Sequence, residues 1–146
     1  LHLSVPERRL FSAHSFTYTK VPVTPYPDVA YEHRGGLLLV TAAGVFQIDW
    51  FTALIADIAI RVRAVETTSV LVDVRGLTGS MTFVDRYRAG YKAANSGIVV
   101  PVAVVGNEPL VDPSRLGEMV ARNRGANVKV FTELADAERW LGVRFT

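Results

Sequence analysis

The stretch Val70–Tyr91, VLVDVRGLTGSMTFVDRYRAGY, decides how the chain is read. Its first five residues, Val70-Leu71-Val72-Asp73-Val74, are apolar on both faces apart from Asp73, the pattern of a buried strand. Gly76 and Gly79 mark a loop. Thr82, with Asp85 three residues later, comes close to a capping box and predicts that a helix opens there. A strand that runs through a glycine-containing loop into a helix N-terminus is a common place for a ligand or a modified side chain. The helix end offers unpaired N–H groups and a partial positive charge.

Downstream, the predicted helix ends near Asn95-Ser96-Gly97. Phe83, Tyr87, Gly90, Tyr91 and Ala94 share one of its faces, and an aromatic stripe at this spacing reads as core. Ile98–Val105 is predicted to be a buried strand, with Pro101 admissible only at a bulge or at the strand start. Asp112 followed by Pro113 predicts a helix start, running to about Arg124 and stopping at Gly125. Asn127–Phe131 reads as the last strand. Thr132 is expected to cap a last helix, Glu133–Leu141, with Leu134, Ala137, Trp140 and Leu141 turned inward and Gly142 ending it.

Upstream, Val29–Arg34 and Leu37–Ala42 read as two strands joined by a two-residue Gly35-Gly36 hairpin turn. A helix opened by Gln47 or Asp49 extends to about Arg63. Phe51, Leu54, Ile55, Ile58 and Val62 form its stripe, but Trp50, Ala53, Ala56, Ala59 and Ile60 leave it apolar almost all round, which calls for burial on more than one side. An N-terminal arm, a dimer partner or a lipid would supply the second cover. Residues Leu1–Asp28 carry Pro6, Pro22, Pro25 and Pro27. They read as an extended arm or edge strand over Ser15–Lys20, preceding a single domain over residues 29–146.

Strands alternating with helices after one hairpin predict an α/β fold: a single mixed, largely parallel sheet of four to five strands covered by four helices. The 146 residues suffice for one core without staples, and there is no cysteine. Sixteen basic residues, three of them lysine, face 14 acidic ones for a net charge of +2, without a basic run, so no nucleic-acid partner is expected. No stretch reaches the ~18 apolar residues of a membrane span. The start, LHLSVPERRLFSAHSF, lacks the apolar core of a signal peptide, and a cytoplasmic protein is expected. His2, His14 and His33 fit no metal spacing, and neither metal nor cofactor is expected.

LVDVRGLTG at 71–79, DRYRAGY at 85–91, VAVVGNE at 102–108, ARNRGANVKVF at 121–131 and DAERWL at 136–141 together resemble the SpoIIAA-like proteins of the STAS-type fold. The resemblance covers roughly Val29 to Leu141 and implies a four- or five-stranded mixed sheet with four helices. It also implies a regulatory, non-enzymatic domain that binds a protein kinase partner. Such a domain is switched by phosphorylation of a serine or threonine at the start of the second helix, in an Asp-Ser-Ser/Thr-Gly type motif. The corresponding stretch here is Gly79-Ser80-Met81-Thr82-Phe83. The aspartate–serine pair is missing, and Ser80, then Thr82, are the candidate phosphoacceptors, with Arg75 and Arg86 as neighbours for a phosphate. The subgroup is similar in topology to the CRAL-TRIO lipid-binding domains, which implies an alternative: a small hydrophobic ligand held between the sheet and the first two helices by Trp50, Leu54, Phe83, Tyr87 and Tyr91.

The residues themselves point away from catalysis. No G-x-x-x-x-G-K-[ST], G-x-G-x-x-G or G-x-S-x-G motif occurs. Every histidine lies at or before His33, leaving Ser80 without an identifiable base. Asp73 is read as accepting hydrogen bonds from the Gly76–Thr82 loop rather than as an acid or base. The working surface is expected at the C-terminal ends of the parallel strands, from Asp73, Arg75, Gly76, Gly79, Ser80, Thr82 and Arg86 and from the neighbouring loop Gly106, Asn107 and Glu108. A homodimer through the first helix or the N-terminal arm is compatible with either reading.

Overall fold

The computed structural model describes residues 26–144. Residues 1–25 of the expected N-terminal arm, with His2 and His14, lie outside the described residues, and Asp28, expected to end the arm, instead opens the first strand. Five strands, β1 (Asp28–Arg34), β2 (Leu37–Val45), β3 (Ser69–Thr78), β4 (Val102–Val105) and β5 (Val128–Phe131), form one sheet in the order β1-β2-β3-β4-β5. The hairpin β1–β2 is antiparallel and the other three pairings are parallel. Four helices follow the strands in alternation: α1 (Ile48–Ala64), α2 (Phe83–Ala94), α3 (Leu116–Asn123) and α4 (Leu134–Leu141). This is the mixed α/β sheet that the alternation predicts.

The two faces of the sheet are covered unequally. Leu38, Val40, Val70, Val72 and Val74 alternate onto one face and form a core with Trp50, Leu54 and Ile58 of α1. Helices α2 and α3 lie over the same face, above Val102, Val104, Val128 and Val130. The opposite face has a smaller core, in which Leu37, Leu71, Ala103, Val105 and Phe131 meet Ala137 and Trp140 of α4. The apolar surplus of α1 is largely taken up within the chain, with Trp50, Leu54, Ile55, Ile58 and Ala59 buried. Its one buried carboxylate, Asp57, accepts hydrogen bonds from Tyr31 Oη of β1 and, at 3.0 Å, from Arg61 Nε, whose guanidinium lies over the Tyr31 ring. That trio ties the helix to the edge strand and compensates a charge that burial alone would penalise.

Several expected boundaries move, each for a local reason. Strand β3 continues four residues past Val74 because a bulge opposite Thr41–Ala43 adds a residue and switches the inward parity from Val74 to Leu77. Gly76 sits there because a Cβ would meet the Ala42 carbonyl and the Ala43 Cβ at 2.9 Å each. Strand β4 starts at Val102 rather than Ile98, since Pro101 has no N–H for the ladder. The Asp112-Pro113 signal makes a turn and not a helix. Asp112 accepts hydrogen bonds from the Ser114 N–H at 2.6 Å and the Ser114 hydroxyl at 2.8 Å, and Arg115 at φ 53° then delays the helix to Leu116. In the last helix Glu133, not Thr132, occupies the N-cap position.

Candidate functional site

At the carboxyl edge of the parallel strands β3 keeps its alternation through Val74, so that Asp73 and Arg75 follow Leu71 onto the face that carries α4. Arg75 donates to both Asp73 carboxylate oxygens, Nε to Oδ1 at 2.9 Å and Nη2 to Oδ2 at 2.7 Å, and its backbone N–H donates to Oδ1 at 3.1 Å. Burial pushes the Asp73 carboxyl up. The side-chain and backbone hydrogen bonds and the charge of Arg75 outweigh it and hold the group below its ordinary value. Asp73 is thus an ionised acceptor for its neighbour two residues on within β3, not for the expected Gly76–Thr82 loop, whose first residues belong to the strand. Asn107 joins this pair by donating from Nδ2 to the Arg75 carbonyl at 3.1 Å, and Glu108 beside it is exposed. Gly106 is buried, and a Cβ there would press on Val111 at 2.8 Å and Val74 at 3.0 Å.

Arg86 does not join Asp73. From α2 it donates to the carbonyls of Leu110 at 2.7 Å and Pro109 at 3.1 Å, and it lies 3.4 Å from Asp112. It therefore holds the 106–112 loop from one side while Asn107 holds it from the other. The Ser114 side-chain and backbone hydrogen bonds, with the charge of Arg86, keep the Asp112 carboxyl below its ordinary value. With Arg75 bound to Asp73 and Arg86 bound to the loop, neither of the two expected phosphate neighbours is left unengaged.

The start of α2 separates its two hydroxyls. Thr82 Oγ1 accepts from the Asp85 N–H at 3.0 Å and Asp85 Oδ2 accepts from the Thr82 N–H at 3.1 Å, a complete capping box. Ser80 is exposed in the preceding loop beyond Gly79 and makes no hydrogen bond among the described residues. Thr82 has a structural task; Ser80 has none.

The aromatic stripe of α2 is not core. Phe83 is 71% exposed, and Tyr87 and Tyr91 project outward with Val84. Tyr87 and Tyr91 stack at 6.2 Å, and the Arg124 guanidinium beyond α3 lies 5.7 Å and 5.2 Å from their ring centres. The buried residues of α2 are Ala89 and Gly90 instead. The reason is tertiary: a Cβ on Gly90 would stand 2.4 Å from the Gly117 carbonyl and 2.9 Å from Val120 Cβ, so α2 meets α3 backbone to backbone on its small-residue face. The sequence signal that could have revealed this is Ala89-Gly90 with Ala93, flanked by Gly117 and Ala121.

An apolar cavity of about 140 Å³ lies between the sheet and α1, α2 and α3. Leu54, Ile55 and Ile58 line it from α1, with Ala89, Gly90 and Ala93 from α2 and Gly117 and Ala121 from α3. Of the residues expected around a hydrophobic pocket, Leu54 lines it. Trp50, 1% exposed, is packed in the larger core, and Phe83, Tyr87 and Tyr91 lie outside. Sequence reasoning missed the small residues of α2 and α3 that create the space. Among the described residues no group of three histidine, aspartate or glutamate side chains could hold a metal ion, and no helix is long and apolar enough to cross a membrane.

The layout defines a SpoIIAA-like, STAS-type domain by its fold: an antiparallel hairpin leading a parallel sheet, with three helices on one face and one on the other. Among solved structures the chain is similar to an anti-sigma factor antagonist from Mycobacterium paratuberculosis, with 13% identity, a TM-score of 0.55, and coverage of 82% of this chain and 99% of that one. The anti-sigma factor antagonist SpoIIAA in its unphosphorylated form aligns at 12% identity and a TM-score of 0.47, over 81% of this chain and 100% of that one. A protein of the DUF3478 family with a SpoIIAA-like fold, from Shewanella loihica, aligns at 17% identity and a TM-score of 0.47, over 84% of this chain and 98% of that one. No protein-family profile and no curated protein sequence matches the chain.

Proposed function

We propose that this chain is a non-enzymatic regulatory domain that binds a protein partner through the outer face of α2, with Ser80 at its edge as the modifiable residue. The observation that carries the reading is the exposed row Phe83, Val84, Tyr87 and Tyr91, continued by Met119 of α3. Large apolar side chains displayed together on a soluble surface mark an interaction site, and aromatic anchors beside an arginine are the residues that dominate binding energy. The likeness in fold to an anti-sigma factor antagonist agrees with it. A phosphate on Ser80 would bring roughly −1.5 to −2 charges to the rim of this face, next to the free N–H groups of the first turn of α2. Thr82 is the poorer acceptor, because its hydroxyl oxygen already serves the Asp85 N–H.

Native mass spectrometry of the protein from its own cells tests this. A partner chain should accompany the wild type and be lost from the Phe83→Ser/Tyr91→Ser variant, whose stability should fall by only about 1–2 kcal/mol, since Phe83 is exposed and Tyr91 gives up its surface stacking on Tyr87 and its contact with Arg124. A partner retained equally by that variant would move the interface off α2. Phosphate found on Thr82 and not on Ser80 would reverse the assignment of the acceptor. The same spectrum distinguishes a second copy of this chain from a different partner.

A second reading is favoured by the cavity: a carrier of a small hydrophobic ligand. Mass that accompanies the chain under native conditions and leaves on denaturation would support it.

A further inference from the structure

Helix α2 carries its bulk on the outside. Phe83, Tyr87 and Tyr91 face away from the sheet, while Ala89, Gly90 and Ala93 face it. The volume those rings would have filled is left open above β4. Val102 and Val104, on an inner strand beneath the helices, are consequently only half-buried. The helices cannot slide together to close the space, because the backbones of α2 and α3 already touch at Gly90 and Gly117. Interiors are otherwise packed to crystal density, so a void held open by backbone contact is a built feature of this fold rather than slack.

We propose that this cavity is a binding site for one neutral, apolar molecule of about the size of a single six-membered carbon ring. The proposal deepens the carrier reading and rests on it. Size follows from volume: about 140 Å³ is close to the ~150 Å³ of an engineered apolar cavity that binds benzene. Neutrality follows from the wall. Its one charged side chain is Glu118, whose carboxylate accepts the Val130 N–H at 2.7 Å and lies 3.9 Å from Arg115. An anionic head group would meet like charge there, and a cation would have to compete with those partners; the other polar side chain of the wall, the Asn127 amide, is neutral and sits at the exposed mouth. Among the described residues Asn127 is the one exposed part of the lining, with half-buried Ile98, Val100 and Ala126 near it. The ligand therefore enters between the segment before β4 and the turn before β5. This is the amino end of the parallel strands, opposite the edge that carries Asp73, Arg75 and Ser80.

The test is a titration of the full chain, methyl-labelled on isoleucine and valine, with benzene and separately with dodecanoate, followed by NMR. Saturable shifts with benzene at Ile55, Ile58, Ile98, Val100 and Val128 are expected. Two substitutions that fill the cavity from different helices, Ala121→Leu and Ala93→Leu, should each weaken benzene binding by at least about tenfold. Circular dichroism identifies which of them is folded, so one failing to fold leaves the other decisive. Benzene binding unchanged in a folded filled variant would overturn the site. Dodecanoate saturating these methyls while benzene does not would overturn the size and neutrality assignment and leave the carrier reading standing. No saturable shift with either probe would overturn both.

Discussion

Asp73 shows how one residue can look catalytic and be structural. A carboxylate in an apolar strand is a recognised functional signal, yet here the Arg75 guanidinium and N–H engage both of its oxygens. The pair has a definite pH signature. Because the folded-state pKa of Asp73 lies below the unfolded value, its contribution to stability is full above about pH 4 and is lost as pH falls through the folded value. Asp73→Asn should cost about 1 kcal/mol at pH 7. In urea denaturation the gap between wild type and variant should shrink below about pH 4; a gap independent of pH would show that the ion pair contributes nothing. The acidic character of Asp73 was legible in the sequence. Its partner was not, because Asp73 and Arg75 share a face only while β3 keeps its alternation through Val74.

Helix α2 was legible in outline and misleading in orientation. Its start at Thr82, its capping box and its end at Asn95 follow from local chemistry that operates whatever the helix packs against. Removing the cap by Thr82→Ala should cost about 1 kcal/mol, whereas Ser80→Ala should stay within about 0.5 kcal/mol, as chemical denaturation would measure. Which face turns inward was decided by α3. Gly90→Ala makes the point with a sign. Helix propensity alone would make alanine better by about 1 kcal/mol. The clash with the Gly117 carbonyl should instead produce a net loss of about 1–3 kcal/mol, read as a lower urea midpoint. A raised midpoint would mean that the two helices are free to separate.

At the scale of the molecule, three helices on one face and one on the other make cover uneven. β2 and β3 are inner strands, and Leu38, Val40, Val70 and Leu71 are completely buried. β1 is an edge strand whose residues are mostly exposed, His33 among them. Hydrogen exchange should therefore be slowest at the centres of β2 and β3, released only by global unfolding, and faster along β1 by local opening. Equal protection across the sheet would show that β1 opens only with the whole domain. The asymmetry also divides the candidate surfaces. Ser80 and the aromatic row lie with the crowded face, whereas Asp73 and Arg75 look out beside α4.

By itself the sequence determined the number, type and order of the elements, the hairpin turn, the capping box and the burial of β2 and β3. Each of these depends on periodicity or on chemistry within a few residues, and such forces act on any chain with that local pattern. Tertiary structure decided what depends on distant backbone. The Gly90–Gly117 contact turned the rings of α2 outward and opened the cavity. Arg86 was drawn to the carbonyls of Leu110 and Pro109 in the 106–112 loop. A stripe of side chains records that a helix has two unlike faces; which face is buried is settled by what fits against it.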